Sequence, residues 1–290
     1  MTDAPATATG GGKPAVTADA GQGSPARLPS PALLLASQAS YQIRLLLASG
    51  RAVAVGIGLP VILLVASKGS ARGSHPNVAG YTVFGLTITA WTTYGVRLVA
   101  AREAGILKRW RATPLPRWCY FTGAVTAATV AGVLAGAVTI AAAVLFYGTH
   151  FDAGPAVHLT TSGTLAILAA LALAGLAWAA TATALTSLIP TVDAAFPILI
   201  LTYFPLIIIS GVLFSIREPH WLSTLATYLP AQPLIDAVTT AVRHSQGAPF
   251  LPARDVIVLA AWAVGGLLTA MLTFRWEPHR PTQRRPARTR

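Results

Sequence analysis

Leu165–Pro190 reads LAILAALALAGLAWAATATALTSLIP and contains no Asp, Glu, Lys, Arg or His. The uncharged run extends from His158 to Asp193, further than the roughly 20 helical residues that cross a hydrocarbon core of about 30 Å. Ala, Gly and Thr dominate it, and small residues let membrane helices approach closely. Working outward, the same test finds uncharged stretches between Arg51 and Lys68, His75 and Arg97, and Arg117 and His150, then from Ala194 to Ile216 and from Val256 to Phe274. The stretch after Arg117 includes AGVLAGAVTIAAAVLF at Ala131–Phe146. The first stretch, Ala52 to Ser67, spans only about 24 Å at 1.5 Å per residue, so either Arg51 snorkels or the preceding turn enters the membrane. The sequence therefore predicts an all-α membrane protein with six transmembrane helices.

Composition agrees. Of 290 residues, 54% are hydrophobic and 10% charged, whereas a soluble domain has about a quarter charged. The formal charge of +12 would suggest nucleic acid in a soluble chain, but topology explains it better. With both termini cytoplasmic, all of the 21 Lys and Arg except Lys68, Arg72, Arg217, Arg243 and Arg254 fall inside, as the positive-inside rule requires. The basic end RWEPHRPTQRRPARTR then faces an anionic leaflet. The expected location is the cell membrane, multi-pass, with no nucleic-acid partner. Residues 1–32 are rich in Ala, Gly, Pro, Thr and Ser and carry no apolar core of a secretory signal, so they read as a disordered cytoplasmic tail. The transmembrane domain is expected over 33–275 and a basic cytoplasmic tail over 276–290.

Three further segments are distinctive. Leu33 to Gly50 places Leu35, Ala39, Ile43, Leu46 and Leu47 on one helical face, with Ser37, Ser40, Arg44 and the following Arg51 on another, the pattern of an amphipathic helix in the inner interface, with a start to the first span as the alternative. Arg102 to Trp118 gathers charge in a cytoplasmic connection, and Pro114 should end its short helix at Thr113. Such an element either fixes topology or docks a soluble partner. Ser215 to Asp255 alternates Pro219, Pro230, Pro233, Pro249 and Pro252 with apolar residues, which predicts short external helices at the outer leaflet.

The residues of common chemistries are missing from the sequence. Cys119 is the single cysteine and the six His lie outside the spans, which disfavours a bundle-core metal or haem site. GGGKPAVT has Thr7 where a phosphate loop needs Gly and Pro14 where it needs Ser or Thr. No G-x-S-x-G nucleophile motif occurs. No acid lies mid-span, which weighs against an ion-coupled carrier, and Asp193 is expected to cap the fifth span. No catalytic, cofactor-binding or metal-binding residue is assigned.

Two motifs together carry a resemblance. EAGILKRWRATPLP at Glu103–Pro116 resembles the connector of type-2 ABC exporter permeases of the daunorubicin-resistance kind. The run from Phe204 to Gly247 is similar to that family's second signature, with SGVLF at Ser210–Phe214, then PHWL, LP at Leu229–Pro230 and LIDA at Leu234–Ala237. Ser215 departs from the proline many members carry. The resemblance implies a half-transporter that pairs with a second permease copy or paralogue and with separate cytoplasmic ATPase subunits, which would bind ATP and Mg. It implies a cytoplasmic coupling helix at Glu103, Gly105, Arg109 and Pro114, and structural roles for Ser210, Gly211, Pro219, Pro230 and Asp236. The family's second and fifth spans line its pathway, which implies Thr87, Trp91, Tyr94, Tyr203 and Phe204 here. The expected function is export of hydrophobic or amphipathic compounds, with drugs or antibiotics as cargo; an ion-coupled secondary transporter and a lipid or glycan exporter of the same family are the alternatives.

Overall fold

The computed structural model describes residues 30–50, 54–67, 77–107, 117–147, 161–212, 220–243 and 252–273, all helix and connecting turns, with no strand among them. We number the helices α1 (Pro31–Leu47), α2 (Ala54–Ser67), α3 (Val78–Ile88, Thr89–Thr93 and Tyr94–Glu103 in continuous succession), α4 (Arg117–Tyr147), α5 (Thr161–Thr186), α6 (Val192–Ile209), α7 (His220–Ala226), α8 (Ala231–Arg243) and α9 (Ala253–Thr273).

Four helical stretches among the described residues are long and apolar enough to cross a membrane: Tyr120–Tyr147, Gly163–Thr186, Val192–Ile209 and Ala253–Thr273. These fall in the third to sixth expected spans. The first two expected spans correspond to α2 and α3, and each contains a π turn, at Ala54–Gly58 and Thr89–Thr93. A π turn inserts an extra residue into the helical repeat, so α3 is divided where the sequence reads as one uniform span. The two π turns lie against each other, with Gly56 facing the Thr89 side chain.

Threonine recurs in the apolar helices, and several of its hydroxyls are satisfied within their own helix, although those of Thr82 and Thr92 are buried with no partner among the described residues. Thr129, Thr139, Thr181 and Thr183 each donate to the carbonyl four residues earlier, at 2.9, 2.8, 2.7 and 2.7 Å. In hydrocarbon a hydroxyl must find such an internal acceptor.

Helix α5 is the hub. It packs against α3, α4, α8 and α9, and its Leu171, Ala174, Ala177, Trp178 and Ala182 are fully buried. The approach to α9 is close because Gly266 has no side chain: a Cβ there would lie 2.6 Å from the Thr181 nitrogen. Helix α6 packs on α3 and α7 and leaves Phe196, Leu201, Phe204 and Ile208 exposed. Helices α7 and α8 are the short helices expected between the fifth and sixth spans. Leu234, Ala237 and Val238 bury one face of α8, and Trp262 Nε1 of α9 donates to the Tyr228 carbonyl at 2.7 Å.

Helix α1 has the expected amphipathic character and packs along α4. Gln38 fits over Gly123, Ile43 packs on Ala127 and Ala131, and Arg97 Nη1 donates to the Leu45 carbonyl at 2.8 Å.

Two sequence boundaries need correction. Arg102 and Glu103, read as the start of a separate connector helix, form the last turn of α3. The break follows at Gly105, whose φ of 69° is the left-handed conformation that glycine adopts readily after a helix end. The residue capping α6 is Thr191, whose hydroxyl accepts from the Ala194 N–H at 3.4 Å, with Asp193 in the first turn behind it. Thr191 takes the role because its extended backbone precedes the first helical residue.

Candidate transport site

Most of the described site residues lie on the α3–α6 pair. The two helices run antiparallel and are joined from end to end by hydrogen bonds. At one end Asn77, the N-cap of α3, donates from Nδ2 to the Val212 carbonyl at 3.1 Å while its Oδ1 accepts from the Gly80 N–H at 2.8 Å. Val212 is available because α6 ends in a reverse-turn cap: Gly211 N–H donates to Ile208 O at 2.9 Å and Val212 N–H to Ile207 O at 3.2 Å. This double bond pattern places a left-handed residue after the C-cap, and Gly211 has φ 69°.

In the middle, Thr87 and Tyr203 share a hydrogen bond at 2.9 Å between their hydroxyls, and Trp91 Nε1 donates to the Leu199 carbonyl at 3.0 Å. Trp91 lies on the π turn, and its indole reaches α6. Tyr94 instead reaches α5, sharing a bond at 2.9 Å with the Thr183 hydroxyl. Trp178 joins the two groups, edge-on to Trp91 with ring centroids 5.4 Å apart and 6.1 Å from the Tyr203 ring. Thr87, Trp91, Tyr94 and Tyr203 are thus brought together in one buried cluster within the protomer. Phe204, 44% exposed, stands apart on the outer surface of α6, edge-on to the Tyr203 ring.

At the other end the joint is made by charged side chains bonding to backbone groups. Glu103 Oε2 accepts the Val192 N–H at 2.7 Å, one of the N–H groups a helix start leaves unpaired. Its neighbour Arg102, only 1% exposed, donates from Nη1 to the Thr186 carbonyl at 3.0 Å and from Nη2 to the Ile189 carbonyl. Both charges match the helix dipoles they meet, a cation at the C-terminus of α5 and an anion at the N-terminus of α6. Two adjacent residues of α3 therefore hold both sides of the α5–α6 turn.

The remaining site residues take no part in these contacts or lie outside the described region. Ser210 is buried at the α6 C-cap, with a hydroxyl that has no partner among the described residues. Pro230 is buried before α8. Asp236 accepts from Gln232 Nε2 at 3.2 Å; partial burial, and then the Asp255 carboxylate, raise its carboxyl above the usual range. Arg109, Pro114 and Pro219 lie outside the described residues.

Sequence reasoning did not single out Asn77, Arg102, Trp178, Thr183 or Val192. A charged pair at the end of a span, as in Arg102–Glu103, was the one available signal. The other partners include backbone atoms and a tryptophan in a uniformly apolar helix, which no motif marks.

These features define a multi-pass helical membrane protein in which one helix pair is joined from end to end by polar contacts. The sequence profile described as ABC-2 family transporter protein matches residues 59–272, and the chain belongs to that family. It is a membrane permease of the ABC transporter type, a transport subunit that works with an ABC ATPase. No curated protein matches the chain.

Proposed function

We propose that this chain is the permease half of an ATP-driven exporter, pairing with a second permease and two cytoplasmic ATPase subunits that bind ATP and Mg. The observation that carries this reading is the α3–α6 pair, in which the helix leading into the connector is bonded along its length to the fifth expected span. A helix pair fastened in this way can move as one body when a partner acts on the end of α3 at Glu103 and on the connector beyond it at Gly105, Arg109 and Pro114. Helices α2 and α3 complete the six spans, and both termini are cytoplasmic.

The cargo we assign is hydrophobic or amphipathic, with drugs or antibiotics as the leading class. Support comes from the outer surface of α6, where Leu201, Phe204 and Ile208 are exposed and supply an apolar wall for a pathway completed by the second permease. Phe204 belongs to that wall. Thr87, Trp91, Tyr94 and Tyr203 act behind it, setting the position of α6.

Purification through an affinity tag on the permease tests the assignment. The complex should retain an ABC ATPase and hydrolyse ATP, and the permease stripped of that subunit should not. A permease that retains no ATPase from its native membrane contradicts the reading.

A further inference from the structure

The bonds joining α3 to α6 differ in kind along their length. Thr87–Tyr203 and Trp91–Leu199 are neutral and buried, whereas Glu103 is exposed and charged at the cytoplasmic end assigned above. Beside it, Arg102 is buried and fixed to the end of α5, the most enclosed of the candidate spans. Gly105 then breaks the helix two residues beyond Glu103, so the last rigid turn before the connector is the turn that carries these two side chains.

We infer that Arg102 and Glu103 are the positioning residues that pass movement of the connector to α6, Arg102 holding α5 as the fixed side and the Glu103–Val192 bond pulling on the start of α6. The inference rests on the proposed function and adds a direction of force. A carboxylate serving only as a docking point for the ATPase would not need the Val192 N–H. Under the inference that N–H is required, although it belongs to a backbone 89 residues away in sequence.

Val192 offers a clean way to remove the donor. It is the first residue of α6, after an extended Thr191 with φ −132° and ψ 159°. Proline is favoured at a first helical position, and an extended residue before it is compatible. Val192→Pro therefore deletes the N–H while keeping the helix, and Val192→Ala controls for the lost side chain. The reporter is a bimane fluorophore on Leu201→Cys, an exposed position of α6, in a Cys119→Ser background. The permease is purified with its ATPase into nanodiscs, and bimane emission is compared with and without ATP and vanadate.

The expected result is that Val192→Pro and Glu103→Ala each reduce the ATP-dependent emission change about tenfold, the scale set by losing a hydrogen bond to a charged group. The double variant should be no worse than either single one, because both remove the same bond. Val192→Ala should respond as the parent, and Glu103→Gln, which keeps an acceptor oxygen, should retain more of the response than Glu103→Ala. Retained ATPase and an unchanged melting temperature in all variants place the effect in transmission. A Val192→Pro complex that responds like its parent overturns the inference and leaves the proposed function standing. A parent complex whose emission ignores ATP overturns the inference at its root, and loss of the ATPase from the parent overturns the proposed function with it.

Discussion

The hydroxyls of Thr87 and Tyr203 lie 2.9 Å apart, sharing a hydrogen bond between two helices whose residues are 116 positions apart in sequence. Thr87 also donates to its own helix, with the Val83 carbonyl at 2.8 Å, so its hydroxyl has a second partner if Tyr203 is changed. Tyr203→Phe should therefore cost only about 0.6 kcal/mol, the average for hydrogen bonds between membrane helices. Thermal or detergent unfolding of Tyr203→Phe, Thr87→Val and the double variant measures the coupling. Additive losses would show that the two hydroxyls do not act on each other.

Glycine positions separate close packing from free surface. A Cβ at Gly266 would lie 2.6 Å from the Thr181 nitrogen and 2.8 Å from the Ala180 carbonyl carbon, while at Gly265 nothing lies within 4 Å. Gly266→Ala should destabilise the fold by about 1–3 kcal/mol through overpacking. Gly265→Ala should be neutral or stabilising by up to about 1 kcal/mol through helix propensity. Melting temperatures of the purified variants decide it, and equal behaviour would contradict the close α5–α9 contact.

Topology is tested by labelling. Cysteine introduced at Thr282 should be protected from impermeant reagents in intact cells, and cysteine at Ser245 should react. The reverse pattern would overturn the cytoplasmic placement of both termini derived from the Lys and Arg distribution.

Much of the fold was legible because the bilayer imposes one simple demand, a long run without charge. That demand located Leu165–Pro190 as a span, and Thr161–Thr186 is helical there. It was blind to the π turns at Ala54–Gly58 and Thr89–Thr93, because an inserted residue changes backbone pairing and leaves hydropathy untouched. The boundary at Glu103 was missed because the charges of Arg102 and Glu103 marked a membrane surface while their helix continued past it. Thr87, Trp91, Tyr94 and Tyr203, expected along a pathway, meet in one buried cluster within the protomer. Their partners were not legible, because the Leu199 carbonyl and the Val192 N–H are backbone atoms that every residue possesses.

The face of α6 supplies a test of cargo contact. Phe204→Ala removes an exposed aromatic ring, and its loss should leave stability nearly unchanged, since surface changes fall within about 0.5 kcal/mol. Transport should respond by a change in the half-saturating cargo concentration rather than in expression. Identical dose dependence for Phe204→Ala and the parent would remove Phe204 from the pathway wall.

The most direct measurement is accumulation of an amphipathic aromatic drug in sealed proteoliposomes containing the permease and its ATPase, with ATP on the ATPase side and no ion gradient. ATP should drive uphill accumulation that vanishes when hydrolysis is blocked by vanadate, and a proton gradient alone should drive none. Accumulation driven by a proton gradient without ATP would contradict the assignment and identify an ion-coupled carrier.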